Sequence, residues 1–211
     1  MLVGERMKHP VITVRPEMPI VDAINLMKHE HIRRTPVVRD GKLVGIVSNE
    51  DLLNASPSPV TSLSVWEMNY LLSKVKVKDV MTKNVLTVME DTPLEDAARI
   101  MADNQIGGLP VMRGDHMVGI ITETDLFKIF LELLGARDMG VRVTVLIPNQ
   151  PGQLAKITQA IASAGGDFVA FVTFSGQDPS NSVVTFKVAC LEKDQVKAII
   201  EPIVDKLIDI R

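Results

Sequence analysis

The chain has 211 residues, 46% of them hydrophobic and 23% charged, with a net charge of −3; this is enough apolar material for a packed core, excludes a disordered chain and leaves no basic excess to hold nucleic acid. One cysteine excludes an intrachain disulfide framework and fits a reducing cytoplasm, the expected location. No apolar run reaches the roughly 18 residues of a membrane span, no signal-peptide pattern opens the chain, and aromatics at 4% are too few for stacking platforms on single-stranded nucleic acid.

Moving the sequence by 74 positions lays residues 7–52 on residues 81–126 without a gap. Val14, Pro19, Asp22, Ala23, Met27, Pro36, Val37, Gly45, Ile46 and Asp51 recur as the same residue, spread over every element, so one supersecondary unit is present twice. Each copy reads β-α-β-β-α. Short strands fall at 12–14 and 86–88. Helices follow, with Ile20, Ala23, Ile24 and Met27 on one face, matched by Leu94, Ala97, Ala98 and Met101. Pro19 and Pro93 suit a first helical position, and Thr92 with Glu95 reads as a capping box. Strands at 36–39 and 110–113 turn through Asp40-Gly41 and Gly114-Asp115 into antiparallel partners at 42–47 and 116–121. One copy has too little sheet to bury both faces, so the two are expected to pack sheet to sheet.

Each second hairpin strand runs into a hydroxyl residue and, three positions on, an aspartate: Ser48 with Asp51, and Thr122 with Asp125. The same spacing fits a helix capping box or a ligand site at a helix N-terminus. Arg33 and Arg34 precede Pro36 in copy one, and Gly107 and Gly108 stand in their places in copy two. A guanidinium pair is a phosphate fork, whereas bare glycine backbone admits a close approach, so two unlike clefts are expected, one cationic and one not. Between the copies an amphipathic helix is expected over 63–75, carrying Trp66 and Tyr70, as a brace or a dimer contact.

Beyond residue 140 the order becomes β-α-β-β-α-β, the ferredoxin-like pattern. Strands are expected at 141–147, 168–174, 183–190 and 207–210, with helices over 154–164 and 194–204. Cys190 reads as a small core residue and the eleven methionines as core filler. The four histidines do not cluster at ligand spacing, and no phosphate-binding glycine loop appears. The residues point to no catalytic group and no metal.

Residues 1–134 resemble a tandem pair of CBS domains, a Bateman module. The carrying residues are Pro36-Val37-Val38 with Gly45-Ile46-Val47-Ser48 and Asp51-Leu52, and Gly107-Gly108-Leu109-Pro110-Val111 with Gly119-Ile120-Ile121-Thr122 and Asp125-Leu126. The rest resembles an ACT domain, on Asn149-Gln150-Pro151-Gly152-Gln153-Leu154 and Gly165-Gly166. The combination is similar to the bacterial acetoin-utilisation B-type family. The implied fold class is α+β, with CBS copies at 1–56 and 77–134, a linker at 57–76 and the ACT domain at 141–211. The implied function is regulatory: an adenosine compound (AMP, ADP, ATP or S-adenosylmethionine) in the CBS clefts, acting on an unidentified protein in a homodimer. By resemblance, Asp51 and Asp125 hold ribose. Ser48, Thr122, Arg33 and Arg34 serve ribose or phosphate, and the backbone of Gly107, Gly108, Leu109 and Pro110 meets adenine. Asn149, Gly152 and Leu154 form an amino-acid site, or the ACT domain only dimerises. A scaffold with empty clefts is the other reading.

Overall fold

The computed structural model describes residues 1–55 and 74–211. Its contacts divide into two units, Met1–Leu126 and Phe127–Arg211. Trp66, Tyr70 and most of the helix expected around them lie outside the described residues.

In the first unit, copy one holds helices α1 (Val3–Arg6) and α2 (Ile20–His29), strands β1 (Arg34–Arg39) and β2 (Lys42–Ser48), and helix α3 (Asn49–Asn54). Copy two begins with α4 (Val77–Val80), β3 (Val88–Met89) and α5 (Leu94–Asp103). It continues with β4 (Gly108–Arg113), β5 (His116–Thr122) and the start of α6 (Glu123–Leu133), a helix whose residues from Phe127 onward belong to the second unit. The expected hairpins form. Arg39 pairs with Lys42 across Asp40 and Gly41, both at positive φ (+50° and +75°), which matches the twist of the strands.

Three local expectations need correction. The strand at 12–14 shrinks to one parallel bridge, Val14 to Val37, while copy two extends the equivalent pairing to β3. Pro19 and Pro93 stand one position before their helices, as N-caps. Thr92 turns back to accept the Met89 N–H at 3.0 Å, so no capping box with Glu95 forms.

The copies interlock by exchanging their opening segments. The α1 segment docks on copy two, where Val3 N–H donates to Thr92 O (2.9 Å) and Gly4 N–H to Glu90 O (2.7 Å). The α4 segment docks on copy one in the mirrored way, with Val77 N–H on Met18 O (2.9 Å) and Lys78 N–H on Pro16 O (2.9 Å). Lys8 then pairs with Ile120, and Thr82 with Ile46, again 74 positions apart. Val77 is fully buried in the core of copy one, beside Val14, Ile20, Met27, Val37 and Leu52. Gly45 leaves room for this traffic, since a Cβ there would stand 2.5 Å from the Met81 sulfur. Face-to-face sheet packing alone omits the exchange, which satisfies backbone donors that either copy would otherwise leave open.

The second unit is built from β6 (Val141–Pro148), α7 (Gln153–Ser163), β7 (Asp167–Ser175), β8 (Asn181–Ala189), α8 (Lys193–Ile200) and β9 (Lys206–Ile210). A 3-10 turn, Glu201–Ile203, closes α8 earlier than expected, at Pro202. The sheet runs β7-β8-β6-β9, every neighbour antiparallel, which is the split β-α-β order expected from the sequence. Val143, Val145, Ile147, Val184, Phe186 and Val188 alternate inward to meet Ile157, Ile161, Val196 and Ile200 from the helices. Cys190 is not a core residue. The chain leaves β8 there with φ +66°, and the side chain is exposed.

Candidate ligand-binding site

A cleft of about 630 Å³ opens in the first unit, within the range of small-molecule sites. Copy one contributes Arg33, Arg34, Ile46 and Ser48 through Asp51; copy two contributes Thr82, Asn84 through Leu86, and Gln105 through Gly108. The position follows from local folding. Strand β2 ends at Ser48 and α3 starts at Asn49, whose N–H donates to Arg33 O at 2.8 Å, so the first turn of the helix, with the positive end of its dipole, lines the hollow.

Ser48 and Asp51 cap that turn reciprocally. Ser48 N–H and Oγ–H both donate to Asp51 Oδ2, at 2.8 and 2.7 Å, and Asp51 N–H donates to Ser48 Oγ at 3.1 Å. The capping alternative read from the sequence is therefore formed. One carboxylate oxygen belongs to the cap. Among the described residues the other, Oδ1, has no hydrogen-bond or ion-pair partner. The Ser48 hydroxyl proton is engaged on Asp51, so Ser48 can offer a ligand only acceptor capacity.

Arg34 reaches from β1 across to copy two. A Cβ on Gly107 would collide with both terminal guanidinium nitrogens, and one on Gly108 would lie 3.0 Å from Arg34 Cδ. Glycine at both positions is what lets the arginine cross. Burial pulls the Arg34 pKa below its ordinary value; Glu123 opposes this, Arg33 adds to it and Asp51 opposes it again. The group stays charged, and among the described residues no carboxylate lies within ion-pair distance. A half-buried cation without a bonded partner favours an anion beside it.

The expectation of one cationic and one glycine-walled cleft is thereby corrected: Arg33, Arg34, Gly107 and Gly108 line the same cleft. Leu109 and Pro110 are buried in strand β4 and do not line it. Thr82, Asn84 and Leu86 join the site without having been singled out in the sequence; the 74-residue shift onto the exchanged segment was the signal available. Asp125 is 7% exposed. Its Oδ2 accepts Thr122 N–H and Oγ–H at 3.0 and 2.5 Å, and its Oδ1 lies 3.3 Å from Lys8 Nζ.

In the second unit a shallow hollow collects Asn149, Thr173 through Pro179, Asn181 and Ser182. The Asn149 amide donates to Pro179 O at 3.0 Å. Gly152, at φ +87° before α7, and Leu154 do not line that hollow, so the three residues of the expected amino-acid site are not brought together there. Among the described residues no group of three or more His, Cys, Asp or Glu could hold a metal ion, and no helix is long and apolar enough to cross a membrane.

The CBS domain family model matches residues 3–58 and again 77–132. The chain belongs to the CBS-domain family. Both matches start with the exchanged segments, 74 residues apart.

Three solved structures are similar to this chain. The CBS domain pair of protein MJ0100, in complex with 5-methylthioadenosine and S-adenosyl-L-methionine, is 29% identical over 65% of this chain and 98% of its own, with a TM-score of 0.52. A putative acetoin utilization protein (AcuB) from Vibrio cholerae is 32% identical over 65% of this chain and 96% of its own, with a TM-score of 0.54. CBSX2 in complex with AMP is 32% identical over 62% of this chain and 96% of its own, with a TM-score of 0.50. Curated relatives at 31–36% identity are matched over 30–90% of their own length.

Proposed function

We propose that this CBS pair is a regulatory sensor that binds an adenosine compound in the Asp51 cleft. The observation that carries the reading is the pairing of two unsatisfied opposite charges in one hollow: the free Asp51 Oδ1 and the Arg34 guanidinium. A carboxylate oxygen accepts from the vicinal hydroxyls of ribose, and a guanidinium fork takes phosphate. Similarity to structures that hold AMP and S-adenosyl-L-methionine supports the class of ligand. The cations favour AMP, ADP or ATP over S-adenosylmethionine, which brings positive charge next to Arg33 and Arg34. Gly107 and Gly108 would lie along the ligand with Arg34 between.

The ligand regulates only by binding one packing of the two copies better than another. The output is control of a partner protein in the cytoplasm, without catalysis by this chain. The second unit would serve as an ACT domain that joins two chains, with Asn149, Gly152 and Leu154 as an amino-acid site at that junction. A role in acetoin utilisation follows from the resemblance to the B-type proteins of that pathway.

Titration calorimetry with AMP, adenosine, ATP and S-adenosylmethionine tests the reading. AMP should bind more tightly than adenosine. In Arg34→Ala the AMP affinity should fall roughly 10- to 100-fold, the equivalent of a charge-assisted contact, with adenosine changed by no more than about two-fold. Equal losses for the two ligands would remove the phosphate contact. No binding of any of the four would favour a scaffold whose Ser48 and Asp51 serve only the helix cap.

A further inference from the structure

The two aspartates that the repeat makes equivalent stand in unlike surroundings. The exchanged segments place Lys8 against Ile120 and Thr82 against Ile46, so Lys8 occupies over Asp125 the position that Thr82 occupies over Asp51. Threonine is short, and the cleft beside Asp51 is open. Lysine is long, and its ammonium lies 3.3 Å from Asp125 Oδ1, on a carboxylate only 7% exposed. With Thr122 on Oδ2, every oxygen of Asp125 already has a donor.

We infer that Lys8 is a built-in occupant of the second cleft, so that each chain takes one adenosine ligand, at Asp51, and not two. The ammonium supplies to Asp125 the donors that a ribose would otherwise bring. A sugar hydroxyl entering there must displace a charged donor from a carboxylate that has little access to water, and exchanges an ion pair for a hydrogen bond whose donor carries no charge. The inference rests on the proposed adenosine site and fixes its stoichiometry.

Calorimetry on the full chain with AMP tests it, with the concentration of folded protein fixed independently. The unmodified chain should bind one AMP. Lys8→Thr, which copies the residue at the equivalent position, should bind two, and the double variant Lys8→Thr/Asp51→Ala should keep one. Lys8→Gln serves as a second variant, since the backbone pairing with Ile120 does not depend on the side chain, and it should also raise the stoichiometry. One AMP on both Lys8 variants would overturn the inference and leave the Asp51 site standing. Two on the unmodified chain, one of them weakened by Lys8→Thr, would overturn it as well, and would make Lys8 a phosphate ligand. No binding by any of these proteins would overturn the inference together with the reading beneath it.

Discussion

Asp51→Ala should weaken AMP at least about 100-fold, and adenosine by the same factor. The free Oδ1 would accept from both vicinal hydroxyls of ribose. Charge-assisted contacts contribute roughly 1.5–3 kcal/mol each, so losing both amounts to two decades or more. Equal loss for the two ligands separates this from Arg34→Ala, whose effect needs a phosphate. The substitution also removes the reciprocal cap with Ser48, at a cost of about 1 kcal/mol in stability. Thermal unfolding run beside the calorimetry distinguishes the two contributions: a small drop in Tm with binding gone is the expected pair of results. Asp51→Asn keeps an acceptor oxygen without its charge and should fall between alanine and the native residue. Full retention of affinity in Asp51→Ala would place the ligand elsewhere.

Phe186→Ala should destabilise the second unit by about 3–5 kcal/mol, read as a shift in the denaturant midpoint. Phe186 is 1% exposed at the centre of strand β8. Its ring stacks on Phe171 at 5.8 Å and meets the edge of Phe168 at 5.6 Å. Three of the six phenylalanines of the chain form this one cluster, so truncation removes both apolar contact and aromatic pairing. The AMP affinity of the same variant is the informative second measurement. Every residue lining the Asp51 cleft lies between positions 33 and 108, so affinity should stay within about two-fold while folding of the first unit persists. A large loss would mean that the second unit helps to shape the cleft.

Much of this architecture can be read from the residues because the repeat is so regular. Period-2 burial in β6 and β8, the Asp40-Gly41 turn and the Gly165 stop after α7 are local chemistry, and local chemistry is visible in a single sequence. The Ser48–Asp51 cap is visible for the same reason. The exchange of α1 and α4 is not: four-residue helices carry no periodicity, and nothing in Val3 or Val77 says which copy buries them. The merging of Arg33, Arg34, Gly107 and Gly108 into one cleft was hidden likewise, because it depends on how the copies are set together. Cys190 misled because a strand pattern gives no sign of where the chain turns; positive φ is common only at glycine, asparagine and aspartate. Lys8 lay just inside the repeat, yet its partner is 117 residues away, and sequence spacing cannot show such a pair.

The exchange also determines how the first unit can open. Amides in copy one are held by carbonyls of the α4 segment, and amides of the α1 segment by carbonyls of copy two. Neither half can loosen without releasing part of the other, so hydrogen–deuterium exchange should follow one shared opening event rather than two. An adenosine ligand bound in a single crevice should then slow exchange throughout residues 1–55 and 74–126, including helices that it never touches.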